Sequence, residues 1–271
     1  MSHQSYFVLR SSDRNKSQNP LPNEIYFDGQ AVGFTNSGIR TIEGESVNMF
    51  YDIPNINPRN NIIVIDNGVQ SFPVEIPTGH YNYFSLAGSL SIVLNTLGLG
   101  LFSVSWDVPN NRFSIVAPIP IKITKYPLQR RDLGAVMGFV YDQPLSLTVN
   151  GVASDLAYTR DIYIISDTMH RHKRNDDQST SPFFSNILFV VPVYGNEQIR
   201  RINPADPNGT DYFITPRNIY YDPSWTKQIA FNPQEQLSFA SITLLDDQGE
   251  KLYCRPDSED VIFRLSLKLS K

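Results

Sequence analysis

Val261-Ile262-Phe263-Arg264-Leu265-Ser266-Leu267-Lys268-Leu269 decides the fold. Phe263, Leu265, Leu267 and Leu269 fall on one side of an extended chain, and Arg264, Ser266 and Lys268 on the other. That period of two marks a strand with one face buried and one in water. Immediately upstream lie Leu237–Leu245, the turn Asp246-Asp247-Gln248-Gly249 and the short piece Lys251–Tyr253. Further back, Gln228–Phe231, Asn218–Tyr221, Asp211–Thr215, Asp161–Ser166 and Leu145–Val149 read as strands. Asn186–Val193 is a near-continuous apolar run, the pattern of a strand buried on both faces. The first third adds Ile25–Phe27, Ser46–Ile53, Asn61–Ile65 and Gln70–Ile76, broken at Asp28-Gly29, Pro54 to Asn60, and Asp66-Asn67-Gly68. The Asn67-Gly68 pair is favoured in tight hairpin turns. Many short strands with turns between them predict a mainly β chain, a sandwich of two antiparallel sheets.

One stretch departs from this pattern. After the strand ending at Ile76, Pro77, Thr78 and Gly79 break the chain, and Leu86, Leu90, Val93, Leu94 and Leu97 then recur at helical spacing, with Gly98 as the stop. Leu101–Trp106 and Arg112–Val116 form a hairpin around Val108-Pro109-Asn110-Asn111. Ile119–Thr124 is a further strand, and Asp132–Phe139 is one helical turn or a packed loop. The division expected is an N-terminal arm over 1–23, a sandwich from 24–76 and 141–271, and a small α+β insertion over 77–140. The arm is assigned because Ser11 to Pro20 has too few apolar groups to order itself.

Composition excludes several functions. Charged residues make up only 18% of the 271 residues, whereas Pro (19), Tyr (14) and Phe (16) are plentiful, which suits a β protein buried against neighbours. A net charge of −4 makes a general nucleic-acid surface unlikely on this chain. Cys254 is the sole cysteine, which excludes an internal disulfide and a multi-cysteine zinc site. No apolar run is long enough for a membrane span, and Met1–Arg10 lacks the form of a signal peptide.

Reaction chemistry has little to build on. Arg171, Lys173 and Arg174, in the basic run His170-Arg171-His172-Lys173-Arg174, are the candidate polyanion contact. His170 and His172 have no third ligand near them in sequence, so no metal site is assigned. Asp246-Asp247 and Asp176-Asp177 lie in turn sequences, where Asp bonds its own backbone. His80 is expected to pack as an aromatic would, and Cys254 as a small hydrophobe. Asn208-Gly209-Thr210 and Asn15-Lys16-Ser17 match the glycosylation pattern by coincidence. No phosphate loop, dinucleotide fingerprint or nucleophile elbow is present, so neither a catalytic residue nor a cofactor is assigned.

The order of motifs carries a resemblance. Ile76–Tyr81 with its helix, the Val104-Ser105-Trp106-Asp107 hairpin, Leu133-Gly134 with Met137-Gly138-Phe139, Tyr163–Asp167, Pro182–Pro192 and Ile242–Gly249 follow one another. The opening Tyr6-Phe7 and Ser11–Arg14 join the series. Together they resemble the minor capsid, or penton, proteins of virophages, polinton-like viruses and nucleocytoplasmic large DNA viruses. Residues 195–232 match the series least. The resemblance implies a single jelly roll, a homopentamer at each icosahedral vertex of the virion, and the major capsid protein of the same particle as neighbour. It implies no enzyme. A receptor- or glycan-binding spike module is the rival reading, since sandwiches also host lectins.

Overall fold

Residues 4–14, 20–28, 41–167, 187–193, 199–201, 212–214, 217–223, 228–230, 239–255 and 261–270 are described in a computed structural model. In chain order the strands are β1 (Gln4–Arg10), β2 (Glu24–Asp28), β3 (Thr41–Tyr51), β4 (Ile62–Asp66), β5 (Ser71–Glu75), β6 (Ser103–Asp107), β7 (Arg112–Thr124) and β8 (Ser146–Asn150). They continue as β9 (Asp161–Ile165), β10 (Ile187–Pro192), β11 (Ile199–Arg201), β12 (Tyr212–Ile214), β13 (Arg217–Tyr221), β14 (Gln228–Ala230), β15 (Phe239–Leu245) and β16 (Val261–Ser270). Helix α1 is Tyr83–Asn95 and α2 is Leu133–Val136. The chain divides into two compact units. The first comprises Met1–Ile53, Thr159–Gln198 and Thr215–Lys271, and the second Pro54–Tyr158 with Ile199–Ile214.

Two antiparallel sheets build the first unit. One runs β1-β16-β3-β13, with β14 beside β13 on the same side of β3, and the other runs β10-β9-β15-β2. Counted along the chain, with β13 and β14 sharing one position, the orders are 1-8-3-6 and 5-4-7-2. That is a jelly roll, in which first and last strands are neighbours and consecutive strands switch sheets except the fourth and fifth, which pair within one. The sheets face one another through alternating apolar positions. Leu9, Ile42, Val47, Met49, Phe263, Leu265 and Leu267 are buried on one side, and Ile25, Ile162, Ile164, Val191, Ile242 and Leu244 on the other. Gly44 of β3 lies under the ring of Phe189 in β10, so close that a Cβ there would stand 2.6 Å from the ring tip.

The second unit is a sheet of order β5-β4-β7-β6, with β8 on β7 and α1 packed over β5 and β6. Helix α1 starts at Asn82, whose side chain accepts from the Ser85 N–H at 2.8 Å while the Ser85 hydroxyl accepts from the Asn82 N–H at 3.0 Å. Leu86, Ala87, Leu90 and Leu94 form its buried face, and Gly98 ends the run at φ +71°. Tyr83 stacks on Trp106 with centroids 4.0 Å apart, and Trp106 tilts onto Phe113 at 4.8 Å.

The structure corrects several expectations. Residues 4–10 are not arm but the first strand, in register with β16 from Gln4↔Ser270 to Arg10↔Arg264, because Leu9 supplies a buried position that matches Leu265. The inserted unit comprises Pro54–Tyr158 and Ile199–Ile214 rather than 77–140, since β4 pairs with β5 and β7, and β8 with β7. Their hydrophobic alternation resembles that of the sandwich strands, and only pairing tells them apart. Arg112–Val116 and Ile119–Thr124 are one strand, β7; Pro118 and Pro120 lie where the pairing with β8 shifts register, so ladder donors are not needed there. Among the described residues β10 is a sheet edge, with Val190 and Pro192 exposed, not a strand buried on both faces.

Candidate interaction surfaces

The outer face of the β1-β16-β3-β13 sheet follows from the same alternation that builds its core. Between the buried positions stand Tyr6 and Arg10 of β1, Ile262, Arg264 and Lys268 of β16, Glu43, Asn48 and Phe50 of β3, and Asn218 and Tyr220 of β13. Registers Arg10↔Arg264, Arg264↔Asn48 and Asn48↔Tyr220 place four of these in one row across four adjacent strands. All four are exposed, Tyr220 at 70%. The neighbouring row is Ile262, Phe50 and Asn218. Lys268 on this face pairs with Glu43 at 3.8 Å; among the described residues no carboxylate pairs with Arg10 or Arg264.

The other sheet presents a different outer face. Tyr26 of β2 and Val190 of β10 are exposed, Tyr163 and Ile165 of β9 are half-buried, and Asp161 and Glu24 are its acids. Lys251 engages Glu24.

In the second unit the polar groups inside are structural. Asn55 bonds both ways with the backbone of Tyr81, accepting its N–H and donating to its carbonyl, each at 2.8 Å. Asn60 donates to the Asn55 carbonyl at 2.9 Å and accepts the Asn57 N–H at 2.8 Å. Gln129 donates to the Pro58 carbonyl at 2.8 Å and accepts the Ile62 N–H at 3.2 Å. These buried amides, with the single bridge Ile56↔Gly79, satisfy the backbone of the Pro54 to Asn61 loop, which has no extended ladder. Asp132 caps α2 through the Ala135 N–H at 3.0 Å, accepts the Tyr126 N–H at 2.6 Å, and receives the Tyr141 hydroxyl. Burial, aided by that bond to Asp132, pushes the Tyr141 phenol well above its ordinary range.

The sequence-derived candidates separate cleanly. Arg171, Lys173 and Arg174, with His170 and His172, lie outside the described residues, as do Asp176, Asp177 and both glycosylation patterns. Asp246 is a turn residue: its Oδ1 accepts the N–H groups of Gln248 at 3.0 Å and Glu250 at 2.9 Å, and burial pushes its carboxyl up. Cys254 is buried. His80 is exposed rather than packed, because Tyr81 turns in to Asn55 and leaves it outside. Among the described residues no group of three His, Cys, Asp or Glu is placed to hold a metal ion, and no helix is long and apolar enough to cross a membrane. The Arg10, Arg264, Asn48 and Tyr220 row was missed from sequence; each residue sits at a polar position of a strand, but register between distant strands is needed to align them.

No protein-family model and no curated protein matches this chain. Solved structures do. The chain is similar, over its whole length, to a virophage penton protein. Mavirus penton protein matches 100% of this chain with 100% of its own, at 11% identity and a TM-score of 0.47. A chain of the Sputnik virophage matches 98% of this one with 97% of its own, at 9% identity and a TM-score of 0.32.

Proposed function

We propose that this chain is a structural subunit of an icosahedral virus shell, a penton protein that closes five-fold vertices as a homopentamer beside the major capsid protein of the same particle. The observation that carries the reading is the 1-8-3-6 and 5-4-7-2 strand order, with a second unit inserted after the third and fifth strands. It supplies the single jelly roll that the ordered motifs imply. The outer face of the β1-β16-β3-β13 sheet carries exposed tyrosines and arginines, the residue types enriched where proteins meet, and that of the other sheet carries the exposed Tyr26. The subunit acts by filling space between copies and neighbours, and its mechanism is burial of these faces.

Purified full-length protein tests this by sedimentation and negative-stain microscopy. Rings of five are expected. A chain that stays monomeric at the highest attainable concentration overturns the reading, and tight glycan binding by such a monomer supports the spike module instead.

A further inference from the structure

Two arginines opposite one another on adjacent antiparallel strands repel, and such a pair destabilises the sheet that holds it. Arg10 and Arg264 form such a pair, and both are exposed. The same face neutralises Lys268 with Glu43 but leaves the guanidinium pair without a carboxylate among the described residues. Asn48 and Tyr220 extend the row, adding an amide and a phenol, so that polar hydrogen-bonding groups cross four strands over about 14 Å, at the ~4.8 Å spacing of a sheet. Ile262 and Phe50 flank them with apolar surface. Arginine and tyrosine anchors beside apolar side chains are the composition of an interface centre, and a fork of guanidinium N–H groups fits a carboxylate.

The chain itself carries the complement. On the opposite side of the sandwich, Asp161 stands two residues before Tyr163 on the same side of β9, and Val190 lies across from Tyr163 in register. Tyr26 lies on the same face. That face offers a carboxylate among aromatic and aliphatic groups, where the first face offers guanidinium groups among the same. A nucleic acid fits the row less well, because the chain is net negative at −4 and the row holds two cations.

We propose that the outer face of the β1-β16-β3-β13 sheet docks a second copy of this chain through the outer face of that copy's β10-β9-β15-β2 sheet, with Arg10 and Arg264 receiving Asp161. The contact joins two different patches, so it repeats from copy to copy and either closes a ring or runs on. This inference deepens the penton reading and rests on it for the existence of a self-assembly.

Charge exchange tests it. Arg10→Glu with Arg264→Glu in one chain, and Asp161→Lys in another, are each expected to abolish assembly in sedimentation, at least about tenfold in affinity per lost guanidinium contact, with far-UV dichroism unchanged. Combining Arg10→Glu, Arg264→Glu and Asp161→Lys in one chain is expected to restore assembly, because the Glu face of each copy then meets the Lys of the next in a ring of any size; a folding defect would not be rescued. Wild-type rings of five that persist in the doubly substituted chain overturn the surface and leave the penton reading standing. Wild-type assemblies of another size that the substitutions dissolve uphold the surface and overturn the five-fold reading. A monomeric wild type overturns both.

Discussion

The two units close their interiors by different means. In the sandwich, side chains do it: Phe189 fills the space over Gly44, and apolar residues alternate on both facing sheets. In the inserted unit an apolar core, with Ile63, Ile65, Leu86, Leu90, Phe113 and Ile123 among it, is joined by close backbone approaches and buried amides. Gly138, at φ +77°, brings its backbone against Ala153 and accepts the Val152 N–H at 2.8 Å, while Asn55, Asn60 and Gln129 hold a loop that crosses the interior without an extended ladder. A regular sheet pair needs only a pattern of hydrophobicity. A smaller unit that folds a long loop inward needs specific partners for each polar group it buries.

The largest effect expected from breaking either closure is at Gly138. A Cβ there meets the Ala153 carbonyl oxygen at 2.0 Å, and positive φ adds its own penalty for any other residue. Gly138→Ala is expected to destabilise the inserted unit by about 3 kcal/mol or more, read by urea unfolding and by hydrogen exchange in β8 and α2. A loss below about 1 kcal/mol would show that the backbone relaxes freely, and that the closure is softer than described.

Gly44→Ala is the sandwich counterpart and is expected to cost about 1–3 kcal/mol, because the obstacle is a side chain that can shift. Combined with Phe189→Leu, much of that loss is expected to return as a coupling of about 1 kcal/mol in a double-mutant cycle. Purely additive losses would mean that the ring does not set the spacing of the two sheets.

The smallest effect sharpens the comparison at a turn. Burial raises the Asp246 carboxyl above its ordinary value of 3.8, so the folded state holds the proton more tightly than the unfolded chain. Its contribution to stability is therefore full below the unfolded pKa and is lost as pH rises through the raised folded value. Asp246→Asn keeps an oxygen for the Gln248 and Glu250 N–H groups and removes the titration. The variant is expected to gain on wild type as thermal unfolding is moved from below pH 4 towards neutrality, by about 1 kcal/mol or less. A constant difference across that range would rule out this contribution.

Much of the fold was legible because strand alternation and helix periodicity are local. Phe263, Leu265 and Leu267 announce β16, and Leu86, Leu90 and Leu94 announce α1, without reference to any partner. Pairing is not local. Ile62–Asp66 and Ser146–Asn150 have the pattern of sandwich strands and belong to the inserted unit; Gln4–Arg10 sits before a polar run and yet pairs with the far end of the chain. The Arg10 to Tyr220 row was illegible for the same reason, since its four members lie on strands far apart in sequence. The buried amides of the Pro54 to Asn61 loop have a visible signal, a crowd of Asn between prolines, which marks a break but not the backbone groups those amides meet.

Pairing Gln4 with Ser270 also makes the first sheet wait on a strand more than 250 residues downstream. During synthesis β1 emerges long before β16, and the ladder groups it offers to β16 stay unmet until that strand leaves the ribosome. A product stopped short of residue 261 carries Arg10 with nothing beside it, and its first sheet lacks the strand that joins β1 to β3. The two halves of the cationic row therefore come together only once β16 has been made and has paired with β1.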